Sequence, residues 1–203
     1  MKVKLHSARK DLARENDVLL ILGDGRTMIS DLTQFMDWDI PHDAACIGRC
    51  VKSYPKNIKH WFNADGETAI AWVKQIKEQH GNGLIAHTLG YVEGFDADWD
   101  IEQPDYHYRE ITNEAHRLHG SSSMFATLVG LEMGYSKIVL GGCPLDAEGH
   151  WYFEPSQETL GPIWLGLDFM AWLDLARETD KVRSLSGYTA QIVGEARREW
   201  LAA

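Results

Sequence analysis

Short unbroken apolar runs alternate along this chain with longer stretches in which apolar residues recur at helical spacing. Val18-Leu19-Leu20-Ile21-Leu22 is such a run, bounded by polar residues before it and by Gly23-Asp24-Gly25 after it. A strand buried on both faces reads this way. Residues 26–36 can begin a helix, with Ser30 and Asp31 as capping residues. Further short strands are expected at 43–48 and 58–63. Between 67 and 79, Ile70, Trp72, Val73 and Ile76 fall near helical spacing, and Gly81 and Gly83 stop that helix. A fourth strand is expected at 84–88. The pattern then predicts a helix over 121–133 that mixes small and large residues, a buried strand at 137–141, a helix near 164–177, a strand at 181–186 and a closing helix from about Thr189.

Strands alternating with helices imply an α/β fold with a mostly parallel sheet and helices on both faces. Two stretches break the alternation. Residues 89–114 mix Gly, Asp and five aromatic side chains without a clear period, and residues 143–162 form a second irregular excursion. Both read as lids or insertions on one domain spanning residues 1–203. The length supports this, because cores split only beyond roughly 250–300 residues.

Composition is that of an ordinary globular chain, 44% apolar and 25% charged, which excludes disordered and collagen-like classes. Thirty acidic against twenty basic side chains give a formal charge of −10, which argues against a nucleic-acid-binding surface. No apolar run approaches a membrane span, and a soluble, cytoplasmic protein is the expectation. Cys46, Cys50 and Cys143 cannot all pair within one chain. They read as reduced, buried small hydrophobes.

In such sheets ligands bind at the carboxyl ends of strands, near a topological switch. Four groups of residues qualify. Gly23, Asp24, Gly25 and Arg26 follow the first strand, where glycines admit a phosphate or make an ordinary tight turn. Gly120, Ser121, Ser122 and Ser123 open a helix, offering a cap, N–H donors and hydroxyls to an anion. Gly141, Gly142 and Asp146 end another strand, with Asp146 suited to a ribose hydroxyl, a metal or an Asx turn. Asn63 and Asp65 follow the strand at 58–63 with the same ambiguity.

Nine histidines give no recognisable zinc spacing, and no metal site is assigned. General-base chemistry suits them better, and His87, His119 and His150 lie at or just beyond expected strand ends. Trp38, Trp61, Trp99, Trp151 and Trp164 are placed near the ligand edge, to stack a base or sugar or to cover a homo-oligomer contact.

VLLILGDGRTMISDL, DAACIGRC with IKHWFNAD, and HGSSSMFATLVGLEMGYSKIVLGGCPLD together resemble the ordered motifs of a Rossmann-like group. That group contains the short bacterial sialyltransferases and the 6-hydroxymethylpterin diphosphokinase-like proteins. The closing KVRSLSGYTAQIVGE is similar to the ending of small uncharacterised phage and prophage members. The resemblance covers roughly residues 17–65 and 115–195. It implies a nucleotide-phosphate pocket built from Gly23, Asp24, Gly25, the serine turn and the Gly141–Asp146 turn.

The activity so implied is transfer from a nucleotide-activated donor, glycosyl transfer first, with a histidine as base. Arg26-Thr27 replaces the group's usual Pro-Ser, and no histidine stands just before the 164–177 helix, His150 being nearest. Two alternatives stand beside it. One is ATP-dependent diphosphate transfer, requiring Mg²⁺ on carboxylates such as Asp65 and Asp146. The other is a phage-encoded protein that binds a nucleotide or nucleotide sugar without turnover. No cofactor other than that Mg²⁺ is implied.

Overall fold

The structure is a computed structural model, and it describes residues 2–5, 12, 14–52, 54, 57–64, 66–81, 83–102, 121–146 and 162–202. Eight strands form one sheet: β1 (Lys2–Leu5), β2 (Val18–Leu22), β3 (Asp43–Ile47), β4 (His60–Asn63), β5 (Ile85–Leu89), β6 (Ala97–Glu102), β7 (Lys137–Gly141) and β8 (Val182–Ser184). Their order is β1-β6-β5-β4-β3-β2-β7-β8. β1 lies antiparallel on β6, and the other seven strands run parallel. The helices are α1 (Met28–Met36), α2 (Gly66–His80), α3 (Ser122–Glu132), α4 (Pro162–Glu178), α5 (Gly187–Val193) and α6 (Arg198–Ala202), with a 3₁₀ turn at Gly48–Lys52. This is a Rossmann-like α/β fold.

Because side chains alternate across a strand, the continuous apolar run of β2 feeds two cores. Leu19 and Ile21 pack with Met124, Phe125, Leu128 and Val129 of α3 and with Trp172 and Leu175 of α4. Val18, Leu20 and Leu22 pack on the opposite face with Met28 and Phe35 of α1 and with Ala69, Val73 and Ile76 of α2. All five β2 side chains are buried, and each such burial stabilises by roughly 1.5–3 kcal/mol.

Two strands were not expected. β6 lies inside the stretch read as irregular, and β1, at the start of the described chain, pairs with it. The link from β5 to β6 is a hook rather than a helix. Lys77 Nζ holds it, bonding the Gly94 carbonyl at 2.7 Å and Asp96 Oδ1 at 2.9 Å, while Asp96 Oδ2 accepts the Ala86 N–H at 2.9 Å. The chain therefore returns alongside β5 within seven residues, 90–96. Trp61 and Trp99, expected at the ligand edge, are core residues at 0% and 1% exposure. Among the described residues no helix is long and apolar enough to cross a membrane.

Candidate functional site

β2 and β7 are neighbours, with Leu22 opposite Gly141. From β2 the chain leaves toward β3 on one side, and from β7 toward β8 on the other. This is the topological switch of the sheet, and the turns after both strands lie on its carboxyl edge. They meet backbone to backbone. Gly23 N–H donates to the Gly141 carbonyl at 2.9 Å and Gly25 N–H to the Gly142 carbonyl at 2.8 Å.

Side chains at these positions have no room. A Cβ on Gly23 would lie 2.6 Å from the Gly142 oxygen and 2.7 Å from Cys143 Sγ, and one on Gly25 would lie 2.5 Å from Pro144 Cδ. Gly142 has φ +64, and a Cβ there would strike the Gly23 carbonyl oxygen. The glycines thus bring the two turns together, and three of their N–H groups are spent inside the protein, because Gly142 N–H donates to Asp31 Oδ2 at 2.8 Å.

Asp31 gathers the rest of the switch. It sits in the first turn of α1, is 3% exposed, and accepts the Thr27 hydroxyl at 2.8 Å and the Ser186 hydroxyl at 2.6 Å. Ser30 and Asp31 therefore do not cap α1; Thr27 holds the N-cap position. Ser186, at the N-cap of α5, turns its hydroxyl to Asp31 rather than to its own helix. The β7 turn is held to α5 by Tyr188 N–H on the Pro144 carbonyl at 2.8 Å and Thr189 Oγ1 on the Cys143 carbonyl at 2.5 Å. Above the sealed turns, Arg26 pairs with Asp146 at 3.4 Å, its side chain 49% exposed.

The serine turn opens α3 on the same edge, since α3 precedes β7 and runs opposite to it. Ser121 is the N-cap in extended conformation and makes no side-chain cap bond. Its hydroxyl lies 2.7 Å from Ser123 Oγ, and its N–H donates to Asp168 Oδ1 of α4 at 2.6 Å. Asp168 is 6% exposed. Burial pushes its carboxyl above the ordinary range, against the pull of the Ser121 N–H and hydroxyl. The expected anion position thus has a carboxyl group of the chain itself beside it, a residue that sequence reading missed. The signal was an Asp among apolar residues in the 164–177 helix.

Asn63 ends β4 opposite Thr88 and is buried. His87 is displaced from its expected place: it lies in the middle of β5, fully buried, stacked on Phe62 with centroids 4.4 Å apart. Both ring nitrogens are engaged, by Trp99 and by His60. A base acting on a substrate needs an accessible nitrogen, so the geometry removes His87 from the edge.

Asp65, His119, Gly120 and His150 lie outside the described residues, as do residues 103–114 and 147–161 of the two excursions. Among the described residues no group of three or more His, Cys, Asp or Glu is placed to hold a metal ion. All three cysteines are free and buried. No protein-family profile, curated protein or solved structure matches this chain.

Proposed function

We propose that this protein binds a nucleotide-activated donor along the carboxyl edge of the sheet, over the β2/β7 switch, and transfers its glycosyl group to an acceptor hydroxyl. One observation carries the reading: the turn after β2, the turn after β7 and the amino ends of α1 and α3 all open on the one edge where the strand order reverses. Helix amino ends favour negative charge, so an acidic protein can hold a phosphate there.

With the N–H groups of Gly23, Gly25 and Gly142 spent internally, stabilising the leaving phosphate falls to side chains. The hydroxyls of Ser121–Ser123 and the half-exposed Arg26 guanidinium are the groups suited to it. The acceptor's proton goes to His150 or His119 in this reading. Diphosphate transfer from ATP would instead place Mg²⁺ on Asp65 and Asp146, the latter already paired with Arg26.

A second reading is binding without turnover, in which the ligand is sequestered or sensed. The burial of His87 favours it, since that takes one of three candidate bases out of reach.

The test is thermal shift with CMP, UDP and ADP and their sugar conjugates, with and without Mg²⁺. Binding to the folded state raises Tm. A rise with one nucleotide supports the reading, and a flat response across the panel contradicts it. Donor hydrolysis by wild type and not by His150→Ala supports transfer; binding with no hydrolysis supports sequestration.

A further inference from the structure

Five buried groups away from the ligand edge form one hydrogen-bonded chain across the α3 face of the sheet. Trp99 Nε1 donates to His87 Nδ1 at 3.1 Å. His87 Nε2 and His60 Nδ1 are 3.0 Å apart, and His60 Nε2 is 3.0 Å from Tyr135 Oη. The Tyr135 hydroxyl donates to Asp43 Oδ2 at 2.7 Å. None of the five residues is more than 3% exposed.

The two ends fix the direction of every bond. An indole N–H only donates, so His87 Nδ1 accepts, and the neutral ring carries its proton on Nε2. Tyr135 has one hydroxyl proton, which goes to Asp43, so Oη accepts from His60, whose proton is also on Nε2. His60 Nδ1 is left as the acceptor that His87 Nε2–H requires. Reading from Trp99 or from Asp43 gives the same pair of tautomers.

The chain has no place for another proton. One added at His87 Nδ1 would face the Trp99 N–H, and one added at His60 Nδ1 would face the His87 N–H. Among the described residues, charged groups gather at its Asp43 end. Asp43 also accepts from Asn16 Nδ2 at 2.8 Å and Glu15 N–H at 2.9 Å, and Lys59 Nζ lies 3.6 Å from Asp43 and 2.9 Å from Glu15. Arg14 and Glu15 act on Tyr135 across a longer distance. At the His87 end, Phe62 stacks on the ring, and Phe125 of α3 meets Phe62 edge-on at 5.6 Å. Burial holds His60 down at about 3, with Asp43 pulling upward and Lys59 pushing further down.

We infer that the Trp99–His87–His60–Tyr135–Asp43 chain is an acid-operated latch. With both rings neutral it ties β3, β4, β5, β6 and the foot of β7 together; a proton on either ring breaks it and loosens that part of the sheet. In the unfolded chain a histidine takes up its proton below about pH 6.5. Each ring kept neutral by the fold therefore makes unfolding about tenfold more favourable per pH unit below that value.

Two measurements on the full chain test this. Long-range ¹H–¹⁵N spectra of the imidazoles at pH 6 should show two rings with Nε2–H and a bare Nδ1, with no imidazolium. Urea unfolding between pH 4.5 and 7 should give His60→Gln a pH dependence shallower than wild type by about tenfold in the unfolding constant per pH unit. An imidazolium or an Nδ1–H tautomer at either ring overturns the latch, and so does an unchanged slope in the variant. If His60→Gln does not fold, the wild-type spectra decide alone.

Discussion

The carboxylate of Asp31 accepts the backbone N–H of Gly142 at 2.8 Å, joining the first turn of α1 to the turn that leaves β7. With the Thr27 and Ser186 hydroxyls on the same oxygen, this one side chain closes the switch. Asp31→Ala would leave a buried N–H without its acceptor, at a cost of about 1–3 kcal/mol. Urea unfolding should show a lower midpoint with an unchanged slope. Gly23→Ala should cost more, because its Cβ meets a carbonyl oxygen that cannot move aside.

Asp43 makes stability depend on pH with a definite sign. Burial alone would raise its carboxyl, but bonds from Tyr135, Asn16 and the Glu15 N–H, with Lys59 nearby, lower it below the ordinary 3.8. A carboxyl lowered by folding stabilises fully above its unfolded value, and that contribution is lost as pH falls through the folded value. Asp43→Asn should cost about 1–3 kcal/mol at pH 7, because Tyr135, Asn16 and the Glu15 N–H lose a charged acceptor. Chemical unfolding should show the gap to wild type nearly unchanged from pH 7 to pH 4.5 and narrowing only as pH falls below 3.8.

The cysteines should be silent in the native protein. Burial pushes the Cys46 and Cys143 thiols well above their usual range, and thiolate is the reactive form. Ellman's reagent at pH 8 should react slowly with the folded chain and release three equivalents in urea. Rapid reaction of Cys46 or Cys143 before unfolding would contradict the packing.

Asp168 beside Ser121 opposes an anion at the start of α3. Asp168→Asn keeps an oxygen to accept the Ser121 N–H while removing the charge. Calorimetric titration with CMP should show a several-fold gain in affinity, the scale of about 1 kcal/mol for a screened charge. A loss would place the phosphate elsewhere.

The hydrophobic pattern made β2, β3, β4, β5 and β7 legible because each is a short buried run between turn residues. β6 reads Ala97-Asp98-Trp99-Asp100-Ile101-Glu102, an alternation that marks a half-buried strand, but the aromatic, Gly-rich surroundings hid it. β1 is four residues long and pairs with a strand nearly a hundred residues away, so nothing local announces it. The glycines after β2 and β7 were visible, yet a phosphate cradle and a backbone-to-backbone contact demand the same residue type. Only the placement of Gly142 against Gly23 distinguishes them. For the same reason His87 inside Ile85-Ala86-His87-Thr88-Leu89 could be suspected of needing a partner, while His60 and Tyr135 are 27 and 48 residues from it.

The placement of the ligand is tested most directly by ¹H–¹⁵N correlation spectra of the full chain titrated with CMP. Binding over the switch should give saturable shifts concentrated in the amides of Gly23–Thr27, Ser121–Ser123 and Gly141–Asp146. Saturable shifts confined to the opposite edge of the sheet, or none at millimolar CMP, would contradict it.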